Sequence, residues 1–517
     1  MQCEPLLNEQ QRVAYDAILK ASRGQLDDTR PANRPNQQRP SNVFFLDGLG
    51  GAGKTFTYNC LLNAVRADGK VAVAVASSGI AALLLEGGRT AHSRFCIPVQ
   101  ALSADSTCYI SRSDPPAELI RAATLIIWDE APMMHKHVFE AVDKTLRDIM
   151  APVDARLGDT PFGGKVVVMG GDYRQILPVV PRGRKADVIA ATLNQSRLIW
   201  PFVRVFKLHA NMRVQRLLAA GGPGAEDNAA QQQAFASFLK SLGDGTAPVH
   251  PEAGENFVRF PPEMCCGGDG LEDLIEAVYG GMADLTDAAA RDKFITERAI
   301  LTPCNADVDE INRLMVYTHD LALPGAPPTQ RRCYLSADSV VETDGVPQQG
   351  LYPTDFLNKL EFSGVPPHAM HLREGCPIIL LRNMTGGLAN GTRLIVVKLM
   401  ESLIEAEVAT GPAKGQRTFI PRLSITPSDA ENWPFTLRRR QFPVRPAFAI
   451  TINKAQGQTL QCVGLYLPKP VFSHGQLYVG ASRVGSPDGL VVSGGMRDHL
   501  GGIYTRNVVY KEVLLPA

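Results

Sequence analysis

No apolar run in this 517-residue chain approaches the roughly 20 residues that cross a bilayer. The longest, Val71–Ala76 and Ala81–Leu85, suit a buried strand and a helix face, so no membrane partner is expected. The ten cysteines contain no CxxC pair and form no evident disulfide framework, which reads as an intracellular chain with reduced thiols. The stretch Met1–Gln11 lacks a charged-then-apolar signal pattern. Repeats of short period are missing too. So is any excess of charge: 53 Lys and Arg stand against 52 Asp and Glu, and a nucleic-acid partner would have to be met by a local basic groove. With 45% hydrophobic and 20% charged residues, wholesale disorder is excluded. The length predicts three to four domains at roughly 150 residues each.

Strand and helix patterns alternate through the first 200 residues, which predicts an α/β fold with a parallel sheet. Val43–Asp47, Val71–Ala76, Leu125–Asp129 and Val166–Gly170 read as buried strands, and Lys54–Val65 as a helix. The irregular stretch His92–Arg121 reads as a small insertion. A lobe boundary is expected near Gln195, with Val203–Leu208 starting a second α/β region. The segments Gly24–Ser41 and Ala219–Gln233 read as surface loops. From about Arg331 to Arg440 the pattern changes to short period-2 segments separated by Gly, Pro and Asn, the mark of a small antiparallel barrel. Such an insertion is expected to close on itself, so that its deletion spares the lobes. Strand–helix alternation returns with Ala447–Ile452, Val463–Leu467 and a helix after Ser473.

Gly48-Leu49-Gly50-Gly51-Ala52-Gly53-Lys54-Thr55 fits the GxxxxGK[ST] phosphate loop, after an apolar strand and before a helix. Its glycines let backbone N–H groups turn toward a phosphate, Lys54 reaches the β and γ oxygens, and Thr55 offers a hydroxyl to Mg²⁺. Downstream, Leu125-Ile126-Ile127-Trp128 runs into Asp129-Glu130. Asp129 at the strand's end suits the Mg²⁺ shell, and Glu130 suits orientation of the attacking water. Trp128 reads as core. Gln175, in Gly170-Gly171-Asp172-Tyr173-Arg174-Gln175, suits a γ-phosphate sensor, although by spacing alone it could equally mark a turn.

These motifs resemble the PIF family of superfamily 1 helicases, in particular the branch of eukaryotic genomes and Helitron transposons. The resemblance runs from Leu7 to about Leu490. Leu7-Asn8-Glu9-Gln10-Gln11 resembles the adenine-reading motif with Gln11 as the base contact. Ala76-Ser77-Ser78-Gly79 and Thr90-Ala91-His92-Ser93 resemble strand-binding motifs, and Pro161–Lys165 the family's signature region. Asn211-Met212-Arg213 is similar to the motif that carries the second lobe's first arginine. Thr451–Thr459 and Leu477–Arg483 are similar to the last two motifs, with Asn453 standing where many relatives carry His.

The resemblance implies two RecA-like P-loop lobes of parallel sheets flanked by helices, with ATP between them. It also implies a wedge insertion in the first lobe and an SH3-like β-barrel in the second. The corresponding boundaries are 1–195 for the first lobe (wedge about 92–121), 196–330 with 441–517 for the second, and 331–440 for the barrel. It implies catalytic roles for Lys54, Asp129, Glu130, Gln175, Arg213 and Arg483. Nucleotide contacts would come from Gln11, Gly48, Gly50, Gly51, Ala52, Gly53, Lys54, Thr55 and Gly457, and metal contacts from Thr55 and Asp129. DNA contacts would come from Ser77, Ser78, Gly79, His92, Ser93, Lys454, Gln458 and Thr459. The run Leu437-Arg438-Arg439-Arg440 is a further candidate DNA contact, although charge runs are more often solvated faces.

The activity so implied is an ATP- and Mg²⁺-dependent helicase moving 5′→3′ on single-stranded DNA. It would open 5′-tailed or forked duplex, act as a monomer, and work in a nucleus or mitochondrion if the source is eukaryotic. A P-loop NTPase without unwinding activity, or the DNA-binding module of a Helitron transposase, are the alternatives.

Overall fold

The structure, a computed structural model, describes the chain apart from residues 1–3, 26–41, 100–101, 211, 213–214, 216–224, 251–253, 269, 320, 342–351, 363, 385–387, 428–432 and 516–517. Arg213, most of the loop expected over 24–41 and the start of the one expected over 219–233 therefore lie outside the described residues. Among the described residues no helix is long and apolar enough to cross a membrane. The chain folds as two units. One comprises Met1–Arg259, Val471–Ser482 and Arg506–Ala517; the other comprises Phe260–Pro470 and Arg483–Thr505.

The first unit is built on strands β1 (Val43–Gly48), β2 (Val71–Ala76), β3 (Arg89–Thr90), β4 (Ala123–Asp129), β5 (Val166–Gly171) and β6 (Val203–Leu208), in the order β3-β2-β4-β5-β1-β6. All five pairings are parallel. These strands read as continuous apolar runs because both faces are covered. Phe44, Leu46, Ala74, Ile127 and Val168 pack under helices α1 (Glu9–Ser22) and α2 (Lys54–Ala67), where Tyr15, Ile18, Leu61 and Val65 meet them. The alternate residues Phe45, Val75, Trp128 and Met169 pack with Phe139 and Leu146 of the helix Lys136–Met150 on the other face. Trp128 is core, as its strand predicts. The segment over 92–121 is largely irregular, yet Phe95, Ile97, Cys108 and Ile110 enter the same core.

The expected boundary near Gln195 needs correction. β6 pairs with β1 from Val43↔Val203 to Gly48↔Leu208, and the first unit continues through the helix Ala225–Asp244. A buried apolar strand carries no mark of which sheet will accept it.

In the second unit, Ala449–Thr451, Arg298–Thr302, Cys462–Tyr466 and Leu490–Ser493 form a four-stranded parallel sheet in that order. The inserted module holds a five-stranded antiparallel sheet (Arg417–Pro421, Leu403–Val408, Arg393–Leu399, Pro377–Leu380, Val444–Pro446). A three-stranded sheet (Ala337–Val341, Thr436–Gln441, Leu423–Ile425) and the pair Arg331–Leu335 with Ala369–Arg373 complete it. Because Val444–Pro446 pairs with Pro377–Leu380, the module runs past the expected limit at 440. Nor does it close on itself. One core joins its Ile378, Leu394, Val396, Ile404 and Ile420 to Ile300, Val308, Ile311 and Met315 of the lobe. The buried Arg393 guanidinium donates to the carbonyls of Thr296, Arg298 and Ala447 at 2.9–3.0 Å. Removing the module would open that core, so the expectation that its deletion spares the lobe is withdrawn.

Candidate functional site

Parallel register brings the carboxyl ends of β1, β2, β4, β5 and β6 to one edge of the first sheet, the usual place for a ligand in such folds. The phosphate loop leaves β1 there. Gly51 (φ 86°) and Gly53 (φ 83°) adopt left-handed backbone that only glycine enters without strain. A Cβ on Gly53 would also collide with the Gln11 amide. Gly48 lies against Leu208, where a Cβ would stand 3.1 Å from that residue's carbonyl. Lys54, the first residue of α2, donates from Nζ to the carbonyls of Gly48 (2.5 Å) and Leu49 (3.3 Å). The ammonium thus lies across the loop whose amides would take a phosphate, with Thr55 beside it in the first turn of α2. Ala52 is buried, and Gly50 donates its N–H to Tyr478 Oη at 3.5 Å.

β4 delivers the two acids. Asp129 is buried, and its Oδ1 accepts from the Glu130 amide at 2.8 Å. Burial first, and then the Glu130 charge, push its carboxyl up to about 7, against a lowering pull from Lys54. A carboxylate held so far from water fits a cation ligand: Mg²⁺ would supply there the charge that the fold withholds. Glu130 has φ 53° and ψ 38°, left-handed backbone that costs a non-glycine residue about 1–3 kcal/mol and collects at functional sites. That strain has no signal in the sequence.

At the end of β5, Gln175 is buried and its Oε1 finds no hydrogen-bond partner among the described residues, an acceptor available to an ordered water. Asp172 beside it is 1% exposed. It takes the Arg174 amide at 3.0 Å and the Arg174 guanidinium at 3.4 Å on Oδ1, and Tyr478 Oη at 2.8 Å on Oδ2. The Tyr478–Asp172 link, 306 residues apart, was missed by sequence reasoning, because no local pattern connects such positions.

Gln11 is fully buried at the loop, and both ends of its amide are engaged. Oε1 accepts from Asn8 N at 3.0 Å and Nε2 donates to Ala52 O at 3.1 Å. Base reading by Gln11 would require one of these bonds to open. Arg213 lies outside the described residues. Its neighbour Met212 donates its amide to Gly51 O at 3.2 Å, so this segment meets the phosphate loop from the first unit, not from the second as expected. The cause is again β6, which leads straight to the loop.

Among the expected DNA contacts, Ser77 donates to Asp129 O at 3.3 Å and accepts from Trp128 Nε1 at 3.2 Å. Ser78 caps the short helix Gly79–Leu83 by accepting from Ala81 N at 3.2 Å. Both hydroxyls therefore have structural duties. His92 is half-buried, and burial lowers its pKa, which favours the neutral ring. Ser93 is exposed beside it.

In the second unit, Arg483 is 6% exposed and donates to Gln458 O at 3.2 Å, while Gln458 Nε2 donates to Lys454 O at 3.1 Å. Gly457 turns that loop with φ 79°, and Lys454 and Thr459 face solvent. The neighbouring Gln456 is buried, and neither of its side-chain amide atoms is bonded among the described residues. The arginine run divides. Arg439 is buried and held by Asp338, whereas Arg438 and Arg440 are exposed. Arg439 is therefore withdrawn as a DNA contact.

A phosphate loop and a strand-end acid pair on one parallel sheet define a P-loop nucleotide-binding lobe. A family model described as PIF1-like helicase matches residues 6–253, and one described as the 2B domain of DNA helicase Pif1 matches residues 355–399. Together they take in more than half of the chain, which is similar to PIF1-like helicases in both segments. The ATP-dependent DNA helicase PIF1 of Danio rerio is 24% identical over 462 residues, or 87% of this chain and 58% of that protein. The chain spans about three-fifths of the length of the first curated relatives it matches. A Bacteroides Pif1 structure bound to single-stranded DNA aligns with a TM-score of 0.60 at 20% identity, over 99% of this chain and 94% of that one. The Candida albicans Pif1 structure gives 0.59 at 20%, over 94% of each. These neighbours share the α/β architecture with RecA-like lobes.

Proposed function

We propose that the chain is an ATP-dependent DNA helicase that moves 5′→3′ along single-stranded DNA and opens 5′-tailed or forked duplex, one copy being the working unit. The observation that carries the reading is the buried Asp129, short of positive charge, next to the strained Glu130 and on the same sheet edge as the Lys54 loop. Lys54 would leave the Gly48 and Leu49 carbonyls for the β and γ oxygens of ATP. Asp129 and Thr55 would hold Mg²⁺, which neutralises charge on the phosphates. Glu130 would orient the attacking water, with Gln175 Oε1 accepting its second proton contact. Arg483 is proposed to stabilise transition-state charge, as arginine fingers do by about 10³–10⁵ in turnover. The matches to the PIF1-like helicase models and to the curated helicase named above support the polynucleotide as the partner.

ATP hydrolysis with and without single-stranded DNA, followed by unwinding of 5′- and 3′-tailed duplexes, tests the whole reading. Strong stimulation by DNA and a 5′ requirement are expected. Turnover indifferent to DNA would instead mark a metabolic NTPase. Lys54→Ala should reduce hydrolysis below a tenth of wild type, and Arg483→Ala should lose DNA-stimulated turnover about a hundredfold while keeping nucleotide binding. Near-normal stimulation in Arg483→Ala would remove that arginine from the mechanism.

A further inference from the structure

The strand Thr436–Gln441 carries three successive arginines, and its pleat separates them. Arg439 points inward, where Asp338 takes its guanidinium at 2.7–3.1 Å, and the carbonyls of Pro366 and Leu357 accept from Nη1 and Nη2 at 3.1 Å. Gln441, also inward, donates to the carbonyls of Tyr334 and His368. These buried bonds fix the strand's register and therefore its opposite face. On that face Arg438 and Arg440 are exposed. Their cross-strand neighbours are Ser339 beside Arg438, and Ala337 and Ser424 beside Arg440. Ser339 Oγ steadies Arg438 Nε at 3.2 Å. No carboxylate occupies these paired positions, and neither arginine forms an ion pair among the described residues. Arg382, also exposed, is tethered at 3.0 Å to the carbonyl of Thr426, just beyond the edge strand Leu423–Ile425.

We infer that this sheet face is a phosphate-binding surface that grips a nucleic-acid backbone without reading sequence. The two guanidinium groups leave one strand about 7 Å apart, two residues along the pleat. Each offers a planar fork suited to phosphate oxygens, and the small hydroxyl and methyl neighbours leave the forks accessible. The face reads no bases, because it presents no amide or aromatic side chain at these positions. The inference rests on the proposed reading that the chain works on DNA, and it adds a contact on the inserted module.

The test is equilibrium binding by the full chain, without nucleotide, to a single strand, a blunt duplex and a tailed duplex between 50 and 200 mM salt. Each phosphate contact contributes about 0.9 to the slope of log affinity against log salt on duplex and about 0.7 on single strands. Removing both charges with Arg438→Gln/Arg440→Gln should therefore lower the slope by nearly two on the DNA form that uses the face. Over that salt range the wild type should lose about tenfold more affinity than the variant. Arg438→Lys/Arg440→Lys keeps the charge and should keep the slope. An unchanged slope on all three probes would overturn the inference and leave the face to an acidic protein segment. An equal loss in the Lys pair would overturn it too, since shape and not charge would then be responsible. The motor reading fails separately, through absence of DNA-stimulated ATP hydrolysis in the wild type.

Discussion

Asp338 in the inserted module and Asp129 at the end of β4 are both buried carboxylates, and their surroundings treat them in opposite ways. Asp338 has its counter-charge built in: Arg439 approaches with Nε and Nη2, and Ser336 Oγ adds a bond at 2.6 Å. Asp129 has a neighbour's amide and a partial claim on Lys54, whose own Nζ is bonded to the loop carbonyls. Asp172 stands between these extremes, shared by Arg174 and Tyr478. A carboxylate that serves the fold is neutralised by the fold. One that serves chemistry is left for a ligand to neutralise, and burial together with the Glu130 charge raises its pKa.

The sharpest way to break this comparison is to remove Arg439. Arg439→Ala would leave Asp338 charged and buried, together with the carbonyls of Pro366 and Leu357, and should cost about 3–5 kcal/mol of stability. Urea unfolding followed by far-ultraviolet circular dichroism should show the loss. A cost below about 1 kcal/mol would mean that the pair is no more structural than a surface one.

Tyr478→Phe comes next. It keeps the ring and removes the donor to Asp172 Oδ2, so a loss of about 1.5–3 kcal/mol is expected, as for a hydrogen bond to a charged group. The same substitution takes away the acceptor of the Gly50 amide. Nucleotide affinity measured beside the unfolding curve would show whether that amide is then released to a phosphate. An unchanged curve would place Asp172 wholly in the care of Arg174.

The division between these aspartates decides what was legible in the sequence. The phosphate loop, β4 and its acids were readable because each is local: a glycine pattern between strand and helix, and a polar pair ending an apolar run. Val71–Ala76 and Val203–Leu208 were placed to the residue as strands, but the sheet that receives Val203–Leu208 was not, since strand partners are chosen by tertiary packing. The module's strands were found from their period of two, whereas its shared core with the lobe was not, because the same apolar positions serve either arrangement. The inward turn of Arg439 was the avoidable miss. An arginine run on a strand must send its middle member to the other face, and the alternation Leu437, Arg439, Gln441 was already there to read.

A stability effect of the opposite sign is expected at Asp129. Its carboxyl titrates near 7 in the folded chain and near 4 when unfolded. Below about pH 4 the group is protonated in both states and costs nothing. As pH rises toward 7 the unfolded chain releases the proton first, and stability is lost until the folded group ionises as well. Above that the penalty is complete. Asp129→Asn removes the titration, so it should stabilise the nucleotide-free protein at pH 8 and by progressively less toward pH 5. It should also abolish Mg²⁺-dependent ATP hydrolysis, because the amide cannot replace a carboxylate in the shell of a hard cation. Thermal melts of both proteins at pH 5 and pH 8, without nucleotide or metal, check the sign. If Asp129→Asn were less stable than wild type at pH 8, Asp129 would have to be counted with Asp338 as a carboxylate that the fold itself requires, and the reading of β4 as the metal-bearing strand would lose its physical basis.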